Sequence, residues 1–204
     1  MNFNHFDAPT GGGIAFEAGI NEGVKLTKFG IEQVNTPNFE GTVFDVVYTK
    51  GDSNLRSRFF APDSAKPFAN ETQDQAEARV AADINNALIS IVAAFHPSPY
   101  QQAFNDIVNK AKAKFATQEA SFTDVVGFFE ALIKQINPNY NQVEGKLLCY
   151  YDNRGYLTPP KALWENKGNV FFTIKDNITI AQRLKDKMTK VESTPTVSND
   201  FDAF

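Results

Sequence analysis

Two arginines and two phenylalanines stand together in Leu55-Arg56-Ser57-Arg58-Phe59-Phe60, and the same company recurs along the chain. Lys25, Lys28 and Phe29 repeat it near the start. Lys146 and Tyr150-Tyr151 are followed by Arg154 and Tyr156, Lys161 precedes Trp164, and Lys167 precedes Phe171-Phe172. Cations interleaved with rings suit unpaired nucleic acid: bases stack on ring faces while ammonium and guanidinium groups follow the phosphates. Each stacked base contributes roughly 1–3 kcal/mol with little sequence preference. Strand alternation puts Arg56, Arg58 and Phe60 on one face, opposite Leu55 and Phe59. A buried strand face does not ordinarily carry two arginines. Any single Phe or Tyr on a strand is as readily a core ring, with Lys or Arg merely solvated on the other face. Phe59, Phe171 and Phe172 are open to that reading.

Other chemistries lack their residues. His5 and His96 are far apart and neither has a second His, Asp or Glu at ligand spacing, so no metal site is expected. His96 before Pro97 reads as a helix-end residue. There is no Gly-x-Ser-x-Gly turn and no His-Glu-x-x-His helix. Thr10-Gly11-Gly12-Gly13 lacks the Gly-Lys-Ser/Thr ending of a phosphate loop. Cys149, in an apolar strand, reads as a buried inert thiol. Glu71, Asp74 and Glu77 read as a solvated helix face. The expectation is a protein that is not an enzyme and uses no cofactor.

The elements that must position the cations and rings are strands interrupted by helices. Residues 1–23 read as an irregular arm. Strands are expected over Val24–Ile31, Val43–Lys50 and Leu55–Phe60, the last two joined by Gly51-Asp52-Ser53-Asn54 as an antiparallel hairpin. After Pro62 the apolar period lengthens to three and four. Ala76 to Phe95, Phe104 to Phe115 and Val125 to Ile136 form three helical stripes, a helical insert spanning about 70–138. Ser121 with Asp124 marks a helix start, and Asn137-Pro138 a stop. Strands resume at Lys146–Tyr151, turn at Asp152-Asn153-Arg154-Gly155, and end with Asn169–Ile174. Ile178–Val191 fits either a helix or a hairpin return. Residues 191–204 are polar and aperiodic and read as a disordered tail, leaving 24–190 as the folded domain.

The chain has 204 residues, enough for one core without disulfides, and its single cysteine suits a reducing compartment. No run of 18 apolar residues and no basic-then-apolar leader occurs, so membrane spanning and secretion are disfavoured. The net charge of −4 hides segregation. Basic and acidic residues number 6 and 8 over residues 1–69, 5 and 9 over 70–144, 9 and 4 over 145–190, and 0 and 3 over 191–204. Such asymmetry permits a basic face on an acidic protein.

The end of the chain, Asp200-Phe201-Asp202-Ala203-Phe204, closes on acids and a terminal Phe after a polar linker. It resembles the tip of the single-stranded DNA-binding proteins of bacteria and tailed phages, although it has two acids and no Pro before the last Phe. The body is similar in order of elements to those of large tailed phages: the Gly23-Val24-Lys25-Leu26 opening strand, the Arg-bearing hairpin, and return strands after a helical insert. The resemblance implies an α+β, OB-fold-like antiparallel barrel with a helical insert and a disordered acidic C-terminal tail. It implies single-stranded DNA as ligand, bound by Lys25, Lys28, Arg56, Arg58, Phe60, Lys146, Tyr150, Arg154, Tyr156, Lys161 and Trp164. Asp200, Phe201, Asp202 and Phe204 would dock replication or recombination proteins, in the cytoplasm of an infected bacterial cell. Homo-oligomers are compatible with it. Two rivals stand beside this expectation: a phage virion or scaffold protein using Phe-rich surfaces for assembly, and a nuclease-like or enzyme-accessory subunit.

Overall fold

The computed structural model describes residues 15–36, 39–116 and 120–189. Strands β1 (Gly19–Thr36), β2 (Phe39–Lys50) and β3 (Ser53–Phe60) form an antiparallel meander, and three helices follow: α1 (Gln73–Phe95), α2 (Tyr100–Lys114) and α3 (Phe122–Ile136). Then come β4 (Glu144–Tyr151), β5 (Leu157–Thr158), β6 (Phe172–Thr173) and a single helical turn, α4 (Gln182–Lys185). The strand order is β3-β2-β1-β4-β5, with β6 also paired to β4, and every pairing is antiparallel.

The protein is therefore α+β, with a strongly curled half-barrel sheet. The curl starts in β1, whose register slips between Glu22 and Val24 against β4 and between Leu26 and Lys28 against β2. Each slip is a bulge, which bends a strand and increases its twist. Gly23 supplies the first at φ 70°, a conformation that a side chain would strain. At the far edges of the sheet, β5 comes back beside β3.

The inner face carries Leu26 and Phe29 of β1, Phe44, Val46 and Tyr48 of β2, and Phe59 of β3, all buried. Phe29 meets Phe44 edge-on with ring centres 4.7 Å apart, and Phe172 packs between Tyr48 and Phe95. Helix α1 fills the concavity. Every residue from Ala87 to Phe95 is buried, so this half of the helix is covered all round. By length and composition α1 is apolar enough to cross a membrane, but 56% of that window is buried inside the protein, as in a core helix. Thr72 and Gln75 form a capping box at its start, and Ser121 and Asp124 form the expected one on α3. His96 caps the end of α1.

Beyond Lys25, β1 pairs only with β2. Helix α3 lies along this stretch, where the Ile31 N–H donates to Glu130 Oε2 at 3.5 Å and the Glu130 carboxylate rests over Gly30. An unpaired edge is thus covered by a helix.

Besides β1 running on to Thr36 and β2 beginning already at Phe39, three stretches differ from the sequence expectation. The arm expected over residues 1–23 is already strand from Gly19, because Gly19–Lys25 pair with Glu144–Cys149, a partner more than a hundred residues away. The strand expected over Asn169–Ile174 shrinks to Phe172–Thr173. Buried Asn166 holds the flanking backbone instead, donating to the Val170 and Thr179 carbonyls and accepting from the Ala181 N–H. Between Ile178 and Thr189, the last described residue, the chain makes neither a long helix nor a hairpin. Only Gln182–Lys185 is helical, while Ile178 and Leu184 dock into the core and the Lys187 carbonyl accepts from the Tyr151 N–H. The tail expected over 191–204 lies outside the described residues.

Candidate functional site

On the outer face of the meander the registers set a three-by-three grid. Lys28, Val47 and Arg56 form one rung, Gly30, Asp45 and Arg58 the next, and Glu32, Val43 and Phe60 the third. Asp45 sits at the centre and is fully buried. Gly30 contributes no side chain beside it, and three cations converge from the other positions. Lys28 Nζ is 2.9 Å from Asp45 Oδ2, while Arg56 Nε and Arg58 Nε are 3.3 and 3.6 Å from Oδ1. Both Asp45 oxygens and Arg58 Nε lack aligned hydrogen bonds, so charge rather than directional bonding holds the centre.

Glu32 completes the cluster, 2.6 Å from Lys28 Nζ and 3.9 Å from an Arg58 terminal nitrogen. The Lys28 hydrogen bond lowers its pKa to about 2. Burial pushes the Asp45 carboxyl the other way, upward, and the adjacent Glu32 carboxylate adds to that. Lys28 is raised: partial burial opposes its charge, but the hydrogen bond to Glu32 and the attraction of the Asp45 carboxylate outweigh that cost.

The expected cations on this face are thus met by acids across the strands. Lys25 is 3.6 Å from Glu144, and Lys146 is 3.5 Å from Glu22 with Asn177 accepting at 3.2 Å. Five cations, Lys25, Lys28, Arg56, Arg58 and Lys146, oppose Glu22, Glu32, Asp45 and Glu144, a difference of +1. Phe60 remains 41% exposed at the corner of the grid, with Phe39 edge-on at 5.0 Å.

The remaining expected residues gather after β4. Tyr150 is buried, and its hydroxyl donates to Glu165 Oε2 at 3.1 Å while Lys187 lies 5.6 Å above its ring. Its pKa is raised, chiefly by burial and then by Glu165. Arg154 is held by Asp152 at 3.2 Å, 5.5 Å from the half-exposed Tyr156 ring. Lys161 is exposed, and its N–H donates to Glu165 at 2.9 Å. Trp164 is 57% exposed, with its indole N–H donating to Asp83 on α1 at 3.1 Å and the Arg183 guanidinium 4.8 Å from its ring. A cavity of about 260 Å³ opens between Tyr150, Trp164, Arg183 and Lys187.

The structure therefore brings Lys28, Arg56, Arg58 and Phe60 into one cluster, places Lys25 and Lys146 farther along the same sheet, and puts Tyr150, Arg154, Tyr156, Lys161 and Trp164 at the end of β4 and in the segment that follows it. Phe59, Phe171 and Phe172 are core. Cys149 is fully buried, which pushes its thiol up to about 12. Among the described residues no group of three or more His, Cys, Asp or Glu side chains is placed to hold a metal ion. Asp200, Phe201, Asp202 and Phe204 lie outside the described residues. The sequence reading missed Asp45, Glu32, Asp83, Arg183 and Lys187. Only Asp45 carried a local signal, as an acid in the middle of the apolar run Val43-Phe44-Asp45-Val46-Val47.

Comparison with protein-family models, with curated proteins and with solved structures finds no match to this chain.

Proposed function

We propose that this protein binds single-stranded DNA without strong sequence preference along the outer face of β1–β3, on a barrel of OB-fold type. The observation that supports this is the Asp45-centred cluster. A buried carboxylate under Lys28, Arg56 and Arg58 orients three cations that are each about one-third exposed or more, beside the accessible Phe60 ring. Orienting cations before a phosphate arrives lowers the entropy lost on binding, and an adjacent ring gives a base somewhere to stack. Because Asp45 and Glu32 already neutralise much of that charge, stacking carries a larger share of the affinity than counterion release. In this reading the acidic C-terminal residues compete with DNA for the cations and offer Phe204 to a replication or recombination partner in a phage-infected cell.

Phe60→Ala tests the stacking half. It removes a half-exposed ring whose loss the core does not feel, so its melting temperature stays near that of the unaltered protein. Binding to a single-stranded oligonucleotide weakens by about 1–3 kcal/mol, roughly 5- to 150-fold. An unchanged affinity would show that the grid is not where bases stack.

A further inference from the structure

The cavity beside β4 differs from the sheet face in how its charges are engaged. Its two acids are already taken. Asp152 accepts from the Arg154 guanidinium at 3.2 Å and from the Arg154 and Tyr156 N–H groups, and Glu165 accepts from the Tyr150 hydroxyl and the Lys161 N–H. Among the described residues its two cations are bonded only to neutral acceptors: Arg183 to the Glu165 carbonyl at 2.8 Å and to the Trp164 carbonyl, Lys187 to Asn153 Oδ1 at 3.0 Å. Among the described residues neither makes an ion pair. The lining therefore balances two acids against two cations, but the acids are satisfied by other groups while the cations face neutral oxygens and are the charges left to meet an anion.

Beside these cations stands a fixed ring. Asp83 holds the edge of the Trp164 indole and Arg183 covers one face, yet more than half of the residue is accessible. A ring whose orientation is set in advance loses little freedom when a planar group stacks on it. The cavity's volume of about 260 Å³ falls just under the roughly 300–1,000 Å³ typical of pockets for drug-sized molecules. It suits one small molecule or one unit of a polymer, not a length of strand.

We propose that this cavity binds a single nucleotide, its phosphate on Lys187 and Arg183 and its base on Trp164. As a subsite for one unpaired residue of a bound strand this rests on the single-strand reading, while a free nucleotide offers the same chemistry. Trp164 is the chain's only tryptophan, so its fluorescence reports this cavity alone. The full chain is titrated with deoxyadenosine monophosphate, with deoxyadenosine, and with a single-stranded oligonucleotide whose binding is followed separately by anisotropy of a label. The monophosphate quenches saturably, and deoxyadenosine binds about ten-fold more weakly or worse, the scale of one lost charge-assisted hydrogen bond. Lys187→Gln weakens the monophosphate by about ten-fold. Phe60→Ala leaves the quench unchanged.

Quenching by both ligands supports a strand subsite, and quenching by the monophosphate alone supports a site for free nucleotide. Monophosphate quenching without any oligonucleotide binding upholds the cavity and removes the sheet-face reading. Oligonucleotide binding by anisotropy with no quench by either ligand overturns the cavity and leaves the sheet face standing. A quench that Lys187→Gln does not change also overturns it.

Discussion

Asp45 is the residue on which the grid depends, and its substitution separates stability from binding. Asp45→Asn keeps the shape and removes the charge that three cations share. Burial already disfavours the ionised Asp45, so the cost is not the missing charge itself but the amide hydrogens turned toward three cations that are partly exposed and can turn to water, and about 1–2 kcal/mol is expected. At this chain length that is a fall in melting temperature of roughly 2–8 °C. Single-strand affinity should rise at low salt in the same variant, since Lys28, Arg56 and Arg58 are released to phosphates. An unchanged melting temperature would mean that the centre of the grid holds nothing in place. Glu32 gives a pH-dependent companion. Its pKa is lowered from an ordinary 4.5 to about 2, so its contribution is full above 4.5 and is lost as pH falls through about 2. Burial-raised Asp45 has the opposite sign, favouring the folded state when protonated. The melting-temperature difference between the unaltered protein and Glu32→Gln should therefore shrink as pH drops from 4.5 toward 2. A difference constant over that range would contradict the Lys28–Glu32 bond. The alternation that put Arg56, Arg58 and Phe60 on one face was legible in β3 alone. Their neutralisation was not, because Asp45 and Glu32 reach them only through cross-strand register.

At the scale of elements, β1 carries the fold, pairing with β2 along most of its length and with β4 at its start. Among the described glycines, the one with least room for a side chain lies where β4 meets β6. A Cβ on Gly145 would stand 2.6 Å from the Thr173 carbonyl oxygen, a backbone atom that cannot swing away. At Gly30 the nearest atoms, 3.0–3.2 Å off, belong to the flexible Glu130 carboxylate. Gly145→Ala should thus cost about 1–3 kcal/mol by overpacking, and Gly30→Ala clearly less. Equal melting temperatures for the two variants would show that β6 is not held at this distance. The three helices were legible because each keeps its apolar period and two begin at a Thr or Ser cap. Short β5 was not, since a two-residue strand has no period to read, and β6 was read too long because the apolar run extends past the two residues that pair with β4. The segment after Ile178 was ambiguous for a related reason: its position is set by the Asn166 side chain and the Tyr151 N–H rather than by its own pattern.

For the whole molecule, segregation of charge along the chain does not become a bare cationic surface. The sheet folds Glu22, Glu32, Asp45 and Glu144 in among Lys25, Lys28, Arg56, Arg58 and Lys146, a difference of +1, and to this count the 9 basic and 4 acidic residues of 145–190 contribute Lys146 alone. Counterion release should then be modest, about −0.7 per neutralised phosphate and about −1 to −2 in total on a log–log plot of affinity against salt. Truncation after Lys190 removes Glu192, Asp200 and Asp202 and no cation, changing formal charge from −4 to −1. Single-strand affinity should rise on truncation, most at low salt where competition is least screened. Equal affinities at low salt would leave the acidic end without a part in binding. The most direct measurement is the salt-titrated affinity of the full chain for single-stranded and duplex oligonucleotides of one length. Stacking on Phe60 requires unpaired bases, so the single strand should bind more tightly at every salt concentration, with the shallow slope just given. Equal affinity for both forms throughout, or no binding to either, would contradict a single-strand-binding face.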